Sequence, residues 1–206
     1  GYILTTPLQL CLMTAQLANG GYKIYPRISV DENQDTFEEI KSEMKKNSEN
    51  AKELKKGLVV PGDGLLWFTG GKKYKALYRN PENVKFILDA MFSSTNEVRG
   101  TSYSSRIENP KYQFAGKTGT AQVKRITKRE RELELKTAEI PYNERDHALY
   151  IAFGPYVNPR YALSIIVEHG GSGSSTAAPM AKKLFKLIID RHEGREKIRN
   201  KKLLNI

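Results

Sequence analysis

Phe114-Ala-Gly-Lys-Thr-Gly-Thr-Ala-Gln-Val123 is the stretch from which the rest of the chain can be read. Lys117 brings a point charge with three donors, Thr118 and Thr120 bring hydroxyls, and Gly119 leaves the backbone bare for a close approach. If the segment is a strand, side chains alternate between faces, so Lys117 and Gly119 share one face while Thr118 and Thr120 share the other or the edge. Such a set suits an extended ligand carrying a carboxylate. A phosphate loop is the competing reading of Gly116-Lys117-Thr118. It needs a glycine five positions before Gly116, where this chain has Lys111, and it needs a helix directly afterwards. After Val123 comes a charged run without an apolar stripe, so the phosphate-loop reading fails.

The chain has 206 residues, enough for one domain with a real core, and it is 39% hydrophobic and 28% charged. The formal charge of +11 permits contact with nucleic acid or an acidic membrane. No aromatic stacking pattern is interleaved with the basic residues, so solvated lysine-rich faces and a basic tail are the simpler account and no nucleic-acid partner is expected. The single cysteine, Cys11, excludes an internal disulfide. Three histidines without Cys/His spacing give no reason to expect a metal. No apolar run is long enough to span a bilayer. The chain opens without methionine, directly before a helix start, and reads as a piece of a longer protein.

Thr6-Pro7-Leu8-Gln9 is a helix start, with Thr6 as N-cap, Pro7 at the first helical position and Gln9 completing a capping box. Leu8, Cys11, Leu12, Ala15 and Ala18 fall on one face; Gln9, Thr14, Gln16 and Asn19 fall off it. Gly20-Gly21 stops this helix in left-handed conformation, Cys11 is expected to pack as a core thiol, and an extended segment comes next. Asn80-Pro81 opens a second helix with a stripe of Val84, Ile87, Leu88, Met91 and Phe92. His147-Ala-Leu-Tyr-Ile-Ala-Phe and Tyr161-Ala-Leu-Ser-Ile-Ile-Val read as two strands of a hairpin. Set beside the Lys117 strand, they predict an α+β fold: an antiparallel three-stranded sheet packed with helices. His147 and His169 read as structural or surface residues at strand ends. Gly170 to Thr176 reads as a flexible turn. Pro179 opens a last helix with Met180, Leu184, Leu187 and Ile188 expected on its inner face. Three charged segments complete the layout: an insertion over 31–56, a long loop over 124–146 and a basic tail over 192–206. Trp67, in a short apolar segment over 57–71, is expected in the core or at its rim.

Lys117-Thr118-Gly119 also matches the K-T-G element of the penicillin-recognising serine acyl-transferases. Alone it is a tripeptide, but other stretches are collinear with it. Gly1-Tyr-Ile-Leu-Thr-Thr-Pro-Leu-Gln-Leu with Ala18-Asn-Gly-Gly21 resembles the helix after the S-x-N region of class B penicillin-binding proteins. Gly100-Thr101 resembles the approach to their third motif. His147 to Tyr156, Glu168 to Gly173 and Ala177-Ala-Pro179 resemble their last two strands and the start of their closing helix. The chain is thus similar, over nearly its whole length, to the C-terminal portion of a class B transpeptidase domain, the elongation type above all.

That resemblance implies a peptidoglycan D,D-transpeptidase that crosslinks stem peptides through an acyl-serine intermediate and binds β-lactams, with no metal or organic cofactor. It implies a parent anchored in the bacterial inner membrane by an upstream segment, with a periplasmic catalytic domain and an elongation-type glycosyltransferase as partner. Lys117 would hold the active-site hydrogen-bond network and attract the terminal carboxylate. Thr118 and Thr120 would bind that carboxylate, Gly119 would admit the substrate backbone, and the Thr120 N–H would be an oxyanion donor. The family's S-x-x-K and S-x-N elements lie before the segment matched by Gly1, so no nucleophile is expected in this chain. Ser42-Glu-Met-Lys45 has the spacing of S-x-x-K, but it sits in a solvated charged run that would leave the lysine amine protonated, and Ser42 is set aside. Ser94-Thr95-Asn96 has the form S-x-N but reads as a polar helix C-terminus. A hydrolase of the β-lactamase type shares K-T-G and fits the flanking stretches poorly. The rival from another class is a non-catalytic interaction module that binds acidic partners through its basic surface.

Overall fold

A computed structural model describes residues 4–24, 26, 76–124 and 137–204. Ser42, Trp67, and the 31–56 and 57–71 segments lie outside the described residues.

Helix α1 (Pro7–Ala18) starts as its sequence dictates. The Thr6 side chain accepts from the Gln9 N–H at 3.2 Å, and the Gln9 side chain accepts from the Thr6 N–H at 2.8 Å. It ends at Gly20 and Gly21, with φ of 92° and 86°; the Gly21 N–H donates to the Gln16 carbonyl at 2.7 Å. The inner face differs from the one expected. Leu8 is 65% exposed, whereas Thr14 and Asn19 are buried. Both polar residues are satisfied locally: the Thr14 hydroxyl donates to the Leu10 carbonyl within the helix, and the Asn19 amide exchanges bonds with the Tyr22 backbone just beyond its end. A hydroxyl that bonds back along its own helix can be buried like a small apolar group. Cys11 is half-buried, with Sγ 3.5 Å from the Ala162 carbonyl, and burial raises its thiol pKa.

Helix α2 (Pro81–Asn96) is capped by Asn80, whose side chain accepts from the Glu82 N–H at 2.9 Å. Val84, Leu88 and Met91 are buried as the stripe predicted, and Thr95 extends it; Ile87 is exposed instead. Phe92 packs on Tyr156 with ring centroids 4.2 Å apart, and the Tyr156 hydroxyl donates to Asp89.

The sheet has three strands in the order β1 (Ala115–Ala121), β2 (His147–Gly154) and β3 (Tyr161–Val167), both pairs antiparallel. Lys117 pairs with Ile151, Thr118 with Tyr150, and Tyr150 with Ile165. Alternation then sorts the side chains. Ala148, Tyr150 and Ala152, with Leu163, Ile165 and Val167 beside them, face the last helix. Ala115, Ile151, Phe153 and Ala162 face α1 and α2, meeting Ala18, Val84, Leu88 and Met91. The α+β architecture expected from the sequence is therefore present.

Helix α3 (Ala178–Leu204) corrects two expectations. Its inner face is Ala178, Ala181, Phe185 and Ile189, with Phe185 stacked on Phe114 at 5.0 Å. Met180, Leu184 and Leu187, expected inside, are 44%, 40% and 66% exposed. The helix carries apolar residues on two faces, and the face with alanines wins because it lets α3 lie close against the sheet. The helix also runs on through most of the basic tail. The segment before it is no flexible turn either. Gly173–Ala177 forms a π-helical turn, the Thr176 hydroxyl donates to the Gly170 carbonyl, and Ser172 and Ser174 share a 2.9 Å hydrogen bond. Within the 124–146 loop, two short 3-10 turns occupy Thr137–Glu139 and Tyr142–Glu144.

At the β2–β3 end, His147 and His169 form a packed pair. The His169 N–H donates to His147 Nδ1 at 2.9 Å, and the rings lie 4.9 Å apart. Both sit at strand ends, where the sequence placed them. Lys111 bridges to Asp190 and Glu193, and the Tyr112 hydroxyl donates to Asp190, tying the strand approach to α3.

The two faces of α3 predict opposite responses. Phe185→Ala should destabilise the protein by about 3–5 kcal/mol, the size of a large cavity in a core. Leu187→Ala should change stability by about 0.5 kcal/mol or less. Urea unfolding of both variants checks the assignment, which a large loss at Leu187 would contradict.

Candidate active site

The decisive local feature is how β1 is held. Gly116 faces the α3 side of the sheet. An added Cβ there would lie 2.4 Å from the Tyr150 hydroxyl and 2.5 Å from its ring carbon Cζ. The glycine thus lets the phenol of the neighbouring strand cross over β1 and emerge at its outer edge. There the Tyr150 hydroxyl meets Thr95 Oγ1 at 2.9 Å and Ser102 Oγ at 3.0 Å. Thr95, Ser102 and Tyr150 all have 0% exposure. Burial raises the Tyr150 pKa more than the bonds from Ser102 and Thr95 lower it, so the phenol stays neutral and keeps its proton to donate.

Thr95 also closes the strand edge. Its Oγ1 accepts from the Gly116 N–H at 3.0 Å. The Gly116 amide therefore points away from β2. In an antiparallel ladder inward and outward amides alternate, so the N–H groups of Thr118 and Thr120 point along the same outer edge. Asn96 adds a further tie, donating to the carbonyls of Phe92 and Phe114 at 3.1 and 2.9 Å. Asn96 is thus used structurally, as a helix C-terminus would use it.

Downstream of this anchor the strand opens to solvent. Lys117 and Thr120 are exposed, and Thr118 and Gly119 are half-buried. Lys117 Nζ donates to the Thr118 carbonyl at 2.8 Å and lies 3.4 Å from Thr118 Oγ1. The lysine thus curls over the strand edge. The Lys117 ammonium group and the Thr118 hydroxyl meet at this edge, beside the outward N–H groups of Thr118 and Thr120 and next to the exposed Thr120 side chain. All are donors, and donors of this kind recognise a carboxylate and a developing oxyanion.

The ledge is supported from beneath. A Cβ on Gly173 would lie 2.4 Å from the Leu149 carbonyl oxygen and 2.6 Å from that of Gly119. The π-helical turn thus presses against the backbone of β1 and β2 directly under the site. At the far end, Asp146 accepts from the Val123 N–H at 3.1 Å.

The structure brings Lys117, Thr118, Gly119 and Thr120 together at one edge. Ser42 lies outside the described residues. Sequence reasoning missed Thr95, Ser102, Tyr150 and Gly173. The available signals were a tyrosine between two alanines at alternate positions of β2, and the invasive geometry that only glycine permits at Gly116. Among the described residues, no helix is long and apolar enough to cross a membrane.

The family model of the penicillin binding protein transpeptidase domain matches residues 1–186. The chain belongs to the penicillin-binding protein transpeptidase family. The peptidoglycan D,D-transpeptidase MrdA of Salmonella typhimurium is 30% identical over 194 residues, which cover 92% of this chain and 26% of that protein. The MrdA of Acinetobacter baumannii is 32% identical over 187 residues, 90% of this chain and 22% of that protein. Among solved structures, the chain resembles PBP2 of Pseudomonas aeruginosa in complex with WCK 5153, at 28% identity and a TM-score of 0.51 over 88% of this chain and 29% of that one. It also resembles PBP2 of Helicobacter pylori, at 25% identity and a TM-score of 0.52 over 91% of this chain and 25% of that one. The chain therefore spans about a quarter of the length of the curated relatives it matches. Its membership rests on residues 1–186, a span that includes the Lys117-Thr118-Gly119 strand.

Two substitutions test the support of the ledge. Thr95→Val strips the acceptor from the Gly116 N–H and a partner from Tyr150, and should cost about 1–3 kcal/mol in urea unfolding, the range for an orphaned buried polar group. Gly173→Ala should force β1 and β2 off the turn and lower the melting temperature. A Gly173→Ala protein that melts like the parent would show that the turn does not brace the strands.

Proposed function

We propose that the chain forms the substrate-recognition wall of a peptidoglycan D,D-transpeptidase, with the nucleophilic serine supplied from outside it. The observation that carries this reading is the open β1 edge, with Lys117, Thr118 and Thr120 converging beside outward N–H groups. Family membership supports the reaction class.

In this reading the stem peptide lies extended along the β1 edge, the mode in which backbone bonds give affinity and side chains give selectivity. Lys117 attracts the terminal carboxylate, and the hydroxyls of Thr118 and Thr120 donate to it. Gly119 presents no side chain on the facing strand. When the serine oxygen attacks the scissile carbonyl, negative charge moves to the carbonyl oxygen, and the Thr120 N–H is one of the two donors that hold it. The C–N bond then breaks, the leaving amine takes the proton that the serine hydroxyl gave up, and the acyl group passes from the serine oxygen to an acceptor amine, whose proton returns to the serine. β-Lactams carry a carboxylate beside a strained amide and occupy the same ledge. No metal or organic cofactor has a part in these steps. The same reading has the parent protein in the bacterial inner membrane, held by a segment upstream of this chain, with its catalytic domain in the periplasm beside an elongation-type glycosyltransferase. The basic surface as a docking face for acidic partners is the second reading; the formal charge of +11 is its support.

Intact-mass measurement after incubation with a penicillin tests the proposal. The 206-residue chain should gain no mass, and the longer parent should gain one acyl group. An adduct on the short chain that disappears in Ser42→Ala would place the nucleophile here and overturn the reading. In the parent, Thr120→Pro removes the edge N–H together with the hydroxyl, without breaking a ladder bond, since that amide points away from β2. It should slow acylation about a hundredfold or more, the usual loss for one oxyanion donor.

A further inference from the structure

A row of three hydroxyls leads from the end of α2 to the ledge, and the middle one belongs to a residue with no role in the scheme above. Ser94 Oγ and Thr101 Oγ1 lie 3.1 Å apart, and Thr101 Oγ1 and Thr118 Oγ1 lie 3.3 Å apart. We propose that Thr101 is a positioning residue: through the Ser94–Thr101–Thr118 relay it aims the Thr118 proton at the ligand's carboxylate, and so sets selectivity for carboxylate-bearing ligands. The inference rests on the reading of the ledge given under Proposed function.

Hydrogen-bond capacity admits a polarity that aims the row at the ligand. A hydroxyl has one proton and two lone pairs, and an ammonium group can only donate. Thr118 Oγ1 therefore accepts from Lys117 Nζ at 3.4 Å. If Ser94 donates to Thr101 and Thr101 donates to Thr118, both lone pairs of Thr118 are engaged. Its proton is then left for an acceptor outside the protein. Without Thr101, the Thr118 proton can turn to water or to any nearby acceptor, and the ledge loses a fixed donor.

The backbone that delivers Thr101 is itself constrained. An added Cβ on Gly100 would lie 2.4 Å from the Ser94 carbonyl oxygen and 2.5 Å from that of Ser93. Only glycine lets this turn press against the last carbonyls of α2. The next residue but one closes the turn: the N–H and the hydroxyl of Ser102 both donate to the Ser94 carbonyl at 3.0 Å, and the hydroxyl joins the Tyr150 cluster. Thr101 is therefore held between a glycine in a tight approach and a fully buried serine. Its hydroxyl has a defined position although its side chain is exposed. This gives the Gly100-Thr101 dipeptide a physical reason. The glycine allows the approach, and the threonine makes the contact to Thr118.

The test compares acylation of the full-length parent by a penicillin and by the same penicillin with its carboxyl group esterified. The readout is the ratio of the two second-order acylation rates. Thr101→Val keeps the shape and removes the hydroxyl, and it should shrink the acid-over-ester preference about three- to tenfold, the size of one hydrogen bond. Thr101→Ser should restore the preference, and Ser94→Ala should shrink it by a smaller factor. Thr118→Val should shrink it as well, and adding Thr101→Val to it should have little further effect. If Thr101→Val slows both ligands equally, leaving the ratio unchanged, its role is structural and the inference is overturned. If the wild-type parent is not acylated by either ligand, the reading of the ledge fails, and this inference fails with it.

Discussion

The passage of the Tyr150 phenol over Gly116 is the constraint on which the site depends. A side chain from β2 crosses β1 and ends in a buried cluster with Thr95 and Ser102. Three elements are fixed to one another in that cluster: the end of α2, the turn after it and the edge of β1. Each hydroxyl has a partner, so the cluster stabilises the edge instead of leaving unsatisfied polar groups. Thr95 meanwhile takes the place of a neighbouring strand for one amide, that of Gly116.

This arrangement explains why β1 can be open where it must be. An unpaired edge is a liability in most sheets, and proteins cover or blunt it. Here α2 covers the edge at Gly116 and releases it from Lys117 onward. The phase of the ladder is set at the covered point. Fixing the Gly116 amide outward fixes the Thr118 and Thr120 amides outward as well, because the alternation cannot slip within a paired strand. The geometry of the ledge therefore begins one residue before the lysine, at a buried glycine held by Thr95 and Tyr150. Gly173, pressed beneath the same strands, adds rigidity from the opposite side. Donors held in this way need no reorganisation as charge develops on a ligand.

Much of this was legible in the sequence, and the physical reason differs by element. The caps of α1 and α2 and the hairpin of β2 and β3 are local features, written in neighbouring residues, and they form as read. The Lys117 strand could be placed because a glycine–lysine–threonine segment without helix signals has few alternatives. The inner face of α3 could not be read, since Met180, Leu184 and Leu187 are as apolar as the residues that are buried. Only the closeness of the sheet selects Ala178, Ala181 and Phe185. Thr14 and Asn19 were misread for a related reason: polarity argues for exposure until a side chain satisfies itself on nearby backbone, the helix's own carbonyl for Thr14 and the turn at Tyr22 for Asn19. The Tyr150 cluster joins residues 48 and 55 positions apart, a separation that no motif spacing reveals. Gly173 looked like a flexible turn because glycine serves both mobility and close packing, and sequence does not distinguish the two.

A crystal structure of the full-length parent acylated by a penicillin tests the central claim most directly. The account predicts the ligand carboxylate within hydrogen-bond reach of the Thr118 and Thr120 hydroxyls, and the acyl carbonyl oxygen on the Thr120 N–H. An acylated protein whose ligand lies elsewhere, with the β1 edge from Lys117 to Thr120 untouched, would contradict it.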